Sequence, residues 1–243
     1  GYYSTLIAEW LGGSGVVHAI EPDLDNFELL NENTAKFQQE GLIKLYSLAL
    51  GDKVGSEKLF RSKDNAGMHR LYDSVCCDGS FTEVEVCRGD DLALMPVDFI
   101  KIDIEGYEQF ALCGLRNTLN QSPNVKILCE FSPLSMLEAG ASPVEWLRII
   151  KSFGFVVIGH NGKQWSPVFY GDLERDLECL NTLDIDALTR QLKNKDNILI
   201  EKLANQHAQE CGYSRPLVEN FLLTRLPMLK ALINKGIVLE GCS

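Results

Sequence analysis

Carboxylates recur at one kind of place along this chain. Glu21, Asp52, Asp103 with Glu105, and Glu130 each follow an apolar run of strand length. The sharpest case is VDFIKIDIEGYEQFAL, residues 97 to 112, where Val97, Phe99, Ile100 and Ile102 give way to Asp103, Glu105 and Gly106. An apolar pattern of helical period follows. Acids so placed can act as a general base, hold ribose hydroxyls or bind a divalent cation through oxygen. A plainer role is also open, because an acid after a strand often caps the next helix. Asp103 could cap the helix near Tyr107, and Glu108 suits the first turn of that helix through the dipole. Gathered together, such carboxylates repel, so a cationic group or many hydrogen-bond donors must compensate.

The elements that would position these acids alternate. Tyr3, Leu6, Ile7, Trp10 and Leu11 fall on one helical face, and a strand follows over 15–23, ended by Glu21. The spacing predicts a helix over 24–38 and a strand over 42–52. Residues 53–90 break the rhythm: SEKLF and FTEVEVCR alternate polar and apolar, as a two-faced antiparallel pair does. Strands at 97–104 and 124–133 flank a helix over 107–119. Ser142 and Pro143 open a helix over 143–153. Strands are expected over 154–162 and 196–202, with a loop and a short helix between. Helix and strand in turn give an α/β fold with a parallel sheet, whose strand C-termini share one edge where ligands bind. Leu217, Val218, Phe221, Leu222, Leu226, Leu229, Leu232 and Ile233 make a helical stripe, so residues 204–243 read as a helical extension to a domain of residues 1–203. Those helices could pack on the domain, cover a site or pair with another chain, so an oligomer through them is open.

The totals narrow the function. A net charge of −11 argues against a nucleic-acid binder, which presents a basic face. No run is long and apolar enough to span a membrane. Eight cysteines without a CxxC pair read as reduced thiols in a cytoplasmic protein, and no metal centre is assigned.

GYYSTLIAEWLGGSGVVHAIEPD, ALGD, GDDL, VDFIKIDIEGYEQFALCGL and ILCEF, in this order, resemble the FkbM-type S-adenosylmethionine-dependent methyltransferases over residues 1 to 160. KIDIEGYE is the most specific segment, whereas AIEP is shared by many class I methyltransferases. The resemblance implies a seven-stranded Rossmann-like sheet whose last strand is antiparallel. It also implies that a first strand and a glycine-rich loop precede Gly1, so the chain is expected to be a fragment without that strand. By the same resemblance, S-adenosylmethionine is the cofactor, Glu21 its ribose-binding acid and Asp52 the residue near the adenine amino group. Gly1 and Ser4 line the cofactor, and Asp103 faces its methyl group and the acceptor.

A hydroxyl acceptor on a small molecule or sugar would gain from a general base. The candidates are Asp103, Glu105 and Glu130, with His160 behind them. Asp103 and Glu130 could instead share a divalent cation, for which no third ligand is evident in the sequence. Two other classes stay open: a non-catalytic interaction protein and an NAD-dependent enzyme, since NAD enzymes also use an acid for ribose.

Overall fold

The computed structural model describes residues 1–94, 96–160, 164–182, 187, 190, 204–206, 208–211, 213, 215 and 219–225. It opens on helix α1 (Tyr2–Leu11), closed by Gly12 in the left-handed region at φ 54°. Strand β1 (Val17–Ile20) follows and ends just before Glu21. Helix α2 (Leu24–Gln39) is capped by Asp23, whose side chain accepts from the Asn26 amide. Strand β2 (Ile43–Tyr46) lies parallel to β1, with Val17 opposite Ile43 and Ile20 opposite Tyr46. Ala8, Ala19, Leu30 and Ile43 form the small core beneath these elements.

The strand expected over 42–52 is two strands. After β2 the chain leaves the pair, and β3 (Ala49–Leu50) runs parallel to β5 (Cys77–Cys87) in another sheet. There β4 (Gly55–Ser62) and β5 form the expected antiparallel pair. The link between them, residues 63–76, carries a bridge between Phe60 and Arg70.

Strand β6 (Phe99–Ile102) starts a five-stranded sheet that also holds β7 (Lys126–Phe131), β8 (Phe155–His160), β9 (Trp165–Val168) and β10 (Glu219–Arg225). Its order is β6-β7-β10-β8-β9. Among the described residues the strands therefore form three sheets rather than one, and β1 is not hydrogen-bonded to β6. The helix expected over 107–119 is likewise divided, into α3 (Glu108–Gly114) and α4 (Arg116–Gln121). The break has a cause. The Asp90 carboxylate accepts from the Asn117 and Thr118 amides and the Thr118 hydroxyl, supplying α4 with its own N-terminal acceptors. Two further helices complete this layer: α5 (Pro133–Glu138) and α6 (Pro143–Ser152). Ser142 caps α6 through the Glu145 amide, as its sequence signature predicts.

β10 corrects the reading of a helical stripe in the tail. Phe221 and Leu223 are fully buried on one face of the strand, against a core that includes Phe131 and Trp146. Leu222 packs beside Ile158 on the other face. The strand's apolar run is only Phe221 to Leu223, and over so short a run helical and strand periods look alike. β10 is antiparallel to both β7 and β8, so it belongs to the sheet rather than to an appendage. Arg225 fastens its end by donating to the carbonyls of Leu119, Ser122 and Phe153. The span 204–206 is helical, as is 208–210. Leu217, Val218, Leu226, Leu229, Leu232 and Ile233 lie outside the described residues, as does the strand expected over 196–202. Between β8 and β10 the chain also forms β9 and helix α7 (Tyr170–Glu178), where a loop and a short helix were expected.

Candidate active site

Two neighbouring parallel strands bring the acids together. Ile102 of β6 stands opposite Cys129 of β7, so Asp103, just past β6, lies beside Glu130, which is still within β7. Oxygens of Asp103, Glu105 and Glu130 all lie within 4.8 Å of one another. Asp103 does not cap the following helix, whose first residue is preceded by Tyr107 with no side-chain cap. Its carboxylate pairs with Lys101 at 2.6 Å and is 42% exposed, hence reachable from solvent.

The turn after β6 is built to hold Glu105 in place. Glu105 itself sits at φ 58° and Gly106 at φ 98°. A Cβ on Gly106 would lie 2.6 Å from the Ser135 carbonyl, so both the conformation and the close approach require glycine. Glu108, expected only to favour the helix dipole, is buried and closes the turn: its Oε1 accepts from the Ile104 and Gly106 amides. Its Oε2 is buried without a hydrogen-bond partner among the described residues.

The compensating cations required by sequence reasoning are Lys101 and Arg70. Arg70 reaches in from the 63–76 segment and contacts Glu105 at 2.8 Å and Glu138 at 3.7 Å. Tyr72 donates to the Glu105 carbonyl at 2.7 Å. Neither Arg70 nor Tyr72 stood out in the sequence, because the segment carrying them has no motif. The available signal was the need for positive charge near three acids.

These cations do not neutralise the whole set. Burial, together with Asp103, Glu105 and Glu108, pushes the Glu130 carboxyl up to about 8 against the pull of Lys101. Burial also raises Glu105, but Arg70 opposes it. A carboxyl that titrates near neutrality suits proton transfer. With Glu105 present, the cluster has the third oxygen donor that the sequence did not reveal, so it could also hold a hard cation.

The remaining sequence candidates fall elsewhere. Glu21 follows β1 as expected; its Oε1 accepts from the Asp23 amide at 2.9 Å, and burial raises its carboxyl. Gly1 is exposed at the start of α1 and packs near Leu30 and Asn33 of α2. Ser4 is half-buried in α1. Asp52 is exposed after β3 and lies near Tyr107, outside the Asp103–Glu105–Glu130 cluster. His160 ends β8, which is parallel to β7 because β10 is antiparallel to both. It therefore reaches the same edge, but β10 separates it from Glu130, and its ring lies 5.0 Å from that of Trp165.

A family profile described as methyltransferase FkbM domain matches residues 1–157. The crystal structure of methyltransferase FkbM from Methylobacillus flagellatus KT is similar to this chain at 20% identity and a TM-score of 0.37. The similarity covers 60% of this chain and 34% of that one, so the chain spans about a third of that protein's length. No curated protein matches the chain.

Proposed function

Because the chain belongs to the FkbM methyltransferase family, we propose that it transfers a methyl group from S-adenosylmethionine to a hydroxyl of a small molecule or sugar. The observation that carries this reading is the meeting of Asp103, Glu105 and Glu130, with the Glu130 carboxyl pushed up to about 8. The cofactor, when bound, supplies a methyl group already activated by its sulfonium. The donor set suits it: Glu21, with a half-buried carboxyl after β1, is the residue for the ribose hydroxyls, and an acidic edge suits a cation. Gly1 and Ser4 would line the same place. Asp52 is retained as the residue for the adenine amino group.

The chain's own residues have three tasks. Glu130 takes the proton of the acceptor hydroxyl, its affinity for that proton set first by burial and then by the acids around it. Asp103, tied to Lys101, orients the acceptor, and Glu105 keeps the charge that raises Glu130. Alignment of the acceptor oxygen with the methyl group would supply the rest of the acceleration. We assign the protein to the cytoplasm, where its free cysteines would stay reduced. No described helix is long and apolar enough to cross a membrane.

The test is transfer of labelled methyl from S-adenosylmethionine to a panel of sugars and small alcohols. Glu130→Gln should lower kcat by about 100-fold or more. The wild-type rate should rise with pH through about 8 as Glu130 ionises. A Glu130→Gln variant with an unchanged rate and pH profile removes the proposed base.

A further inference from the structure

A second polar site lies away from the carboxylate cluster, between the start of α2 and the segment joining β4 to β5. It is a cavity of about 390 Å³, within the range of small-molecule sites. Its walls are already fixed: Asn26 donates to the Ala66 carbonyl at 2.9 Å, and Arg61 is held by Asp25 at 3.1 Å.

Two polar groups in this wall have no hydrogen-bond partner among the described residues. One is Oδ2 of Asp23, a residue only 1% exposed. Its other oxygen is spent on capping α2. The nearest cationic or imidazole nitrogens are Arg61 Nη2 at 3.6 Å and His69 Nε2 at 3.8 Å, both beyond hydrogen-bond length. The other is the hydroxyl of Ser62, a residue 9% exposed. Buried groups left this way cost free energy until a partner arrives.

The chemistry of the missing partner follows from His69. Its Nδ1 accepts from the Ser62 amide at 3.1 Å, so the proton of the neutral ring is on Nε2, the nitrogen facing Asp23. Across the gap stand a donor, His69 Nε2–H, and an acceptor, Asp23 Oδ2. An oxygen that reaches both must displace the atoms that now cover Asp23 Oδ2, which has almost no accessible surface. Only a group that accepts and donates at once satisfies both, as a hydroxyl or a water molecule does. Ser62 can do either, so it suits a second hydroxyl, and the guanidinium of Arg61 adds a donor. A lone carboxylate or phosphate would meet Asp23 as a like charge.

We propose that this cavity binds a hydroxyl-rich ring compound, such as a monosaccharide, next to Glu21, whose carboxylate accepts from the Asp23 amide. The site stands on the cavity and its unpartnered groups, and it does not depend on the methyl-transfer reading.

The experiment is a titration of the full chain with methyl α-D-glucopyranoside, followed by NMR shifts of the His69 ring nitrogens and the amides of 61–69. Saturable shifts at millimolar sugar are expected. The fully O-methylated glucoside, which accepts but cannot donate, should cause none. Asp23→Asn keeps the helix cap, since asparagine caps as well as aspartate. It turns Oδ2 into a donor facing two other donors, and should weaken binding about tenfold or more. Ser62→Ala gives an independent variant outside the cap and should also weaken it. The shifts should persist with S-adenosylhomocysteine at saturation, whose own binding reads the methyl-transfer proposal separately. The proposal is overturned if the glucoside causes no saturable shift, which leaves a solvent pocket only. It is also overturned if the O-methylated sugar or Asp23→Asn behaves like the original, or if S-adenosylhomocysteine displaces the sugar.

Discussion

At the scale of single residues, the site is an imbalance of charge held in one place. Asp103, Glu105, Glu108 and Glu130 lie near one another, while Lys101 and Arg70 supply the opposing charge. Arg70 does more than neutralise: with a side chain only 8% exposed, it also ties the 63–76 segment to the turn after β6 and to α5 through Glu138. Replacing it by methionine would leave two largely buried carboxylates unpaired. Arg70→Met should therefore cost about 3–5 kcal/mol in urea unfolding. A loss below about 1 kcal/mol would mean that solvent, rather than Arg70, balances Glu105 and Glu138. Asp103 and Glu130 were legible as site residues because each ends an apolar strand. Arg70 was not, because its partners are 35 and 68 positions away and only the folded chain brings them together.

At the scale of elements, the turn between β6 and α3 fixes the geometry. Its conformation rests on Gly106, on the Glu108 carboxylate beneath it and on Tyr72 above. Gly106→Ala would both demand φ 98° of a residue with a Cβ and drive that carbon to 2.6 Å from Ser135. The expected loss is about 2 kcal/mol or more. Gly140→Ala, at φ 75° with open space around the added carbon, is the control and should cost about 1 kcal/mol. Equal losses in a thermal-unfolding comparison would show that Ser135 gives way and the turn is not clamped. The glycine was readable from KIDIEGYE; the clamp was not, because Ser135 belongs to α5, a helix too short to leave a periodic signal. The misreading of β10 has the related cause that its apolar run, Phe221 to Leu223, is too short to tell a strand period from a helical one. The division of α3 from α4 was hidden for another reason, since Asp90 acts from outside the helical run.

At the scale of the whole molecule, raised carboxyls tie stability to pH. Glu130 moves from an ordinary 4.5 to about 8, and Glu21, Glu105, Glu108 and Glu138 are raised as well. The folded chain then holds more protons than the unfolded chain between these values, so stability falls as pH rises through them. The contribution of Glu130 is fully present below 4.5 and lost as pH passes about 8. Urea midpoints should decline across that window, and Glu130→Gln should flatten its upper part while the other four carboxyls keep the lower slope. A midpoint that climbs with pH over the same window would reverse the sign of this account. The sequence could place acids at strand ends but could not give this coupling, which depends on how deeply each carboxyl is buried. The most direct measurement is a carbon-13 NMR titration of the Glu130 side-chain carboxyl in the folded chain. Burial together with convergence on Asp103, Glu105 and Glu108 predicts a midpoint near 8; a midpoint near 4.5 would contradict it and leave the proposed methyl transfer without its base.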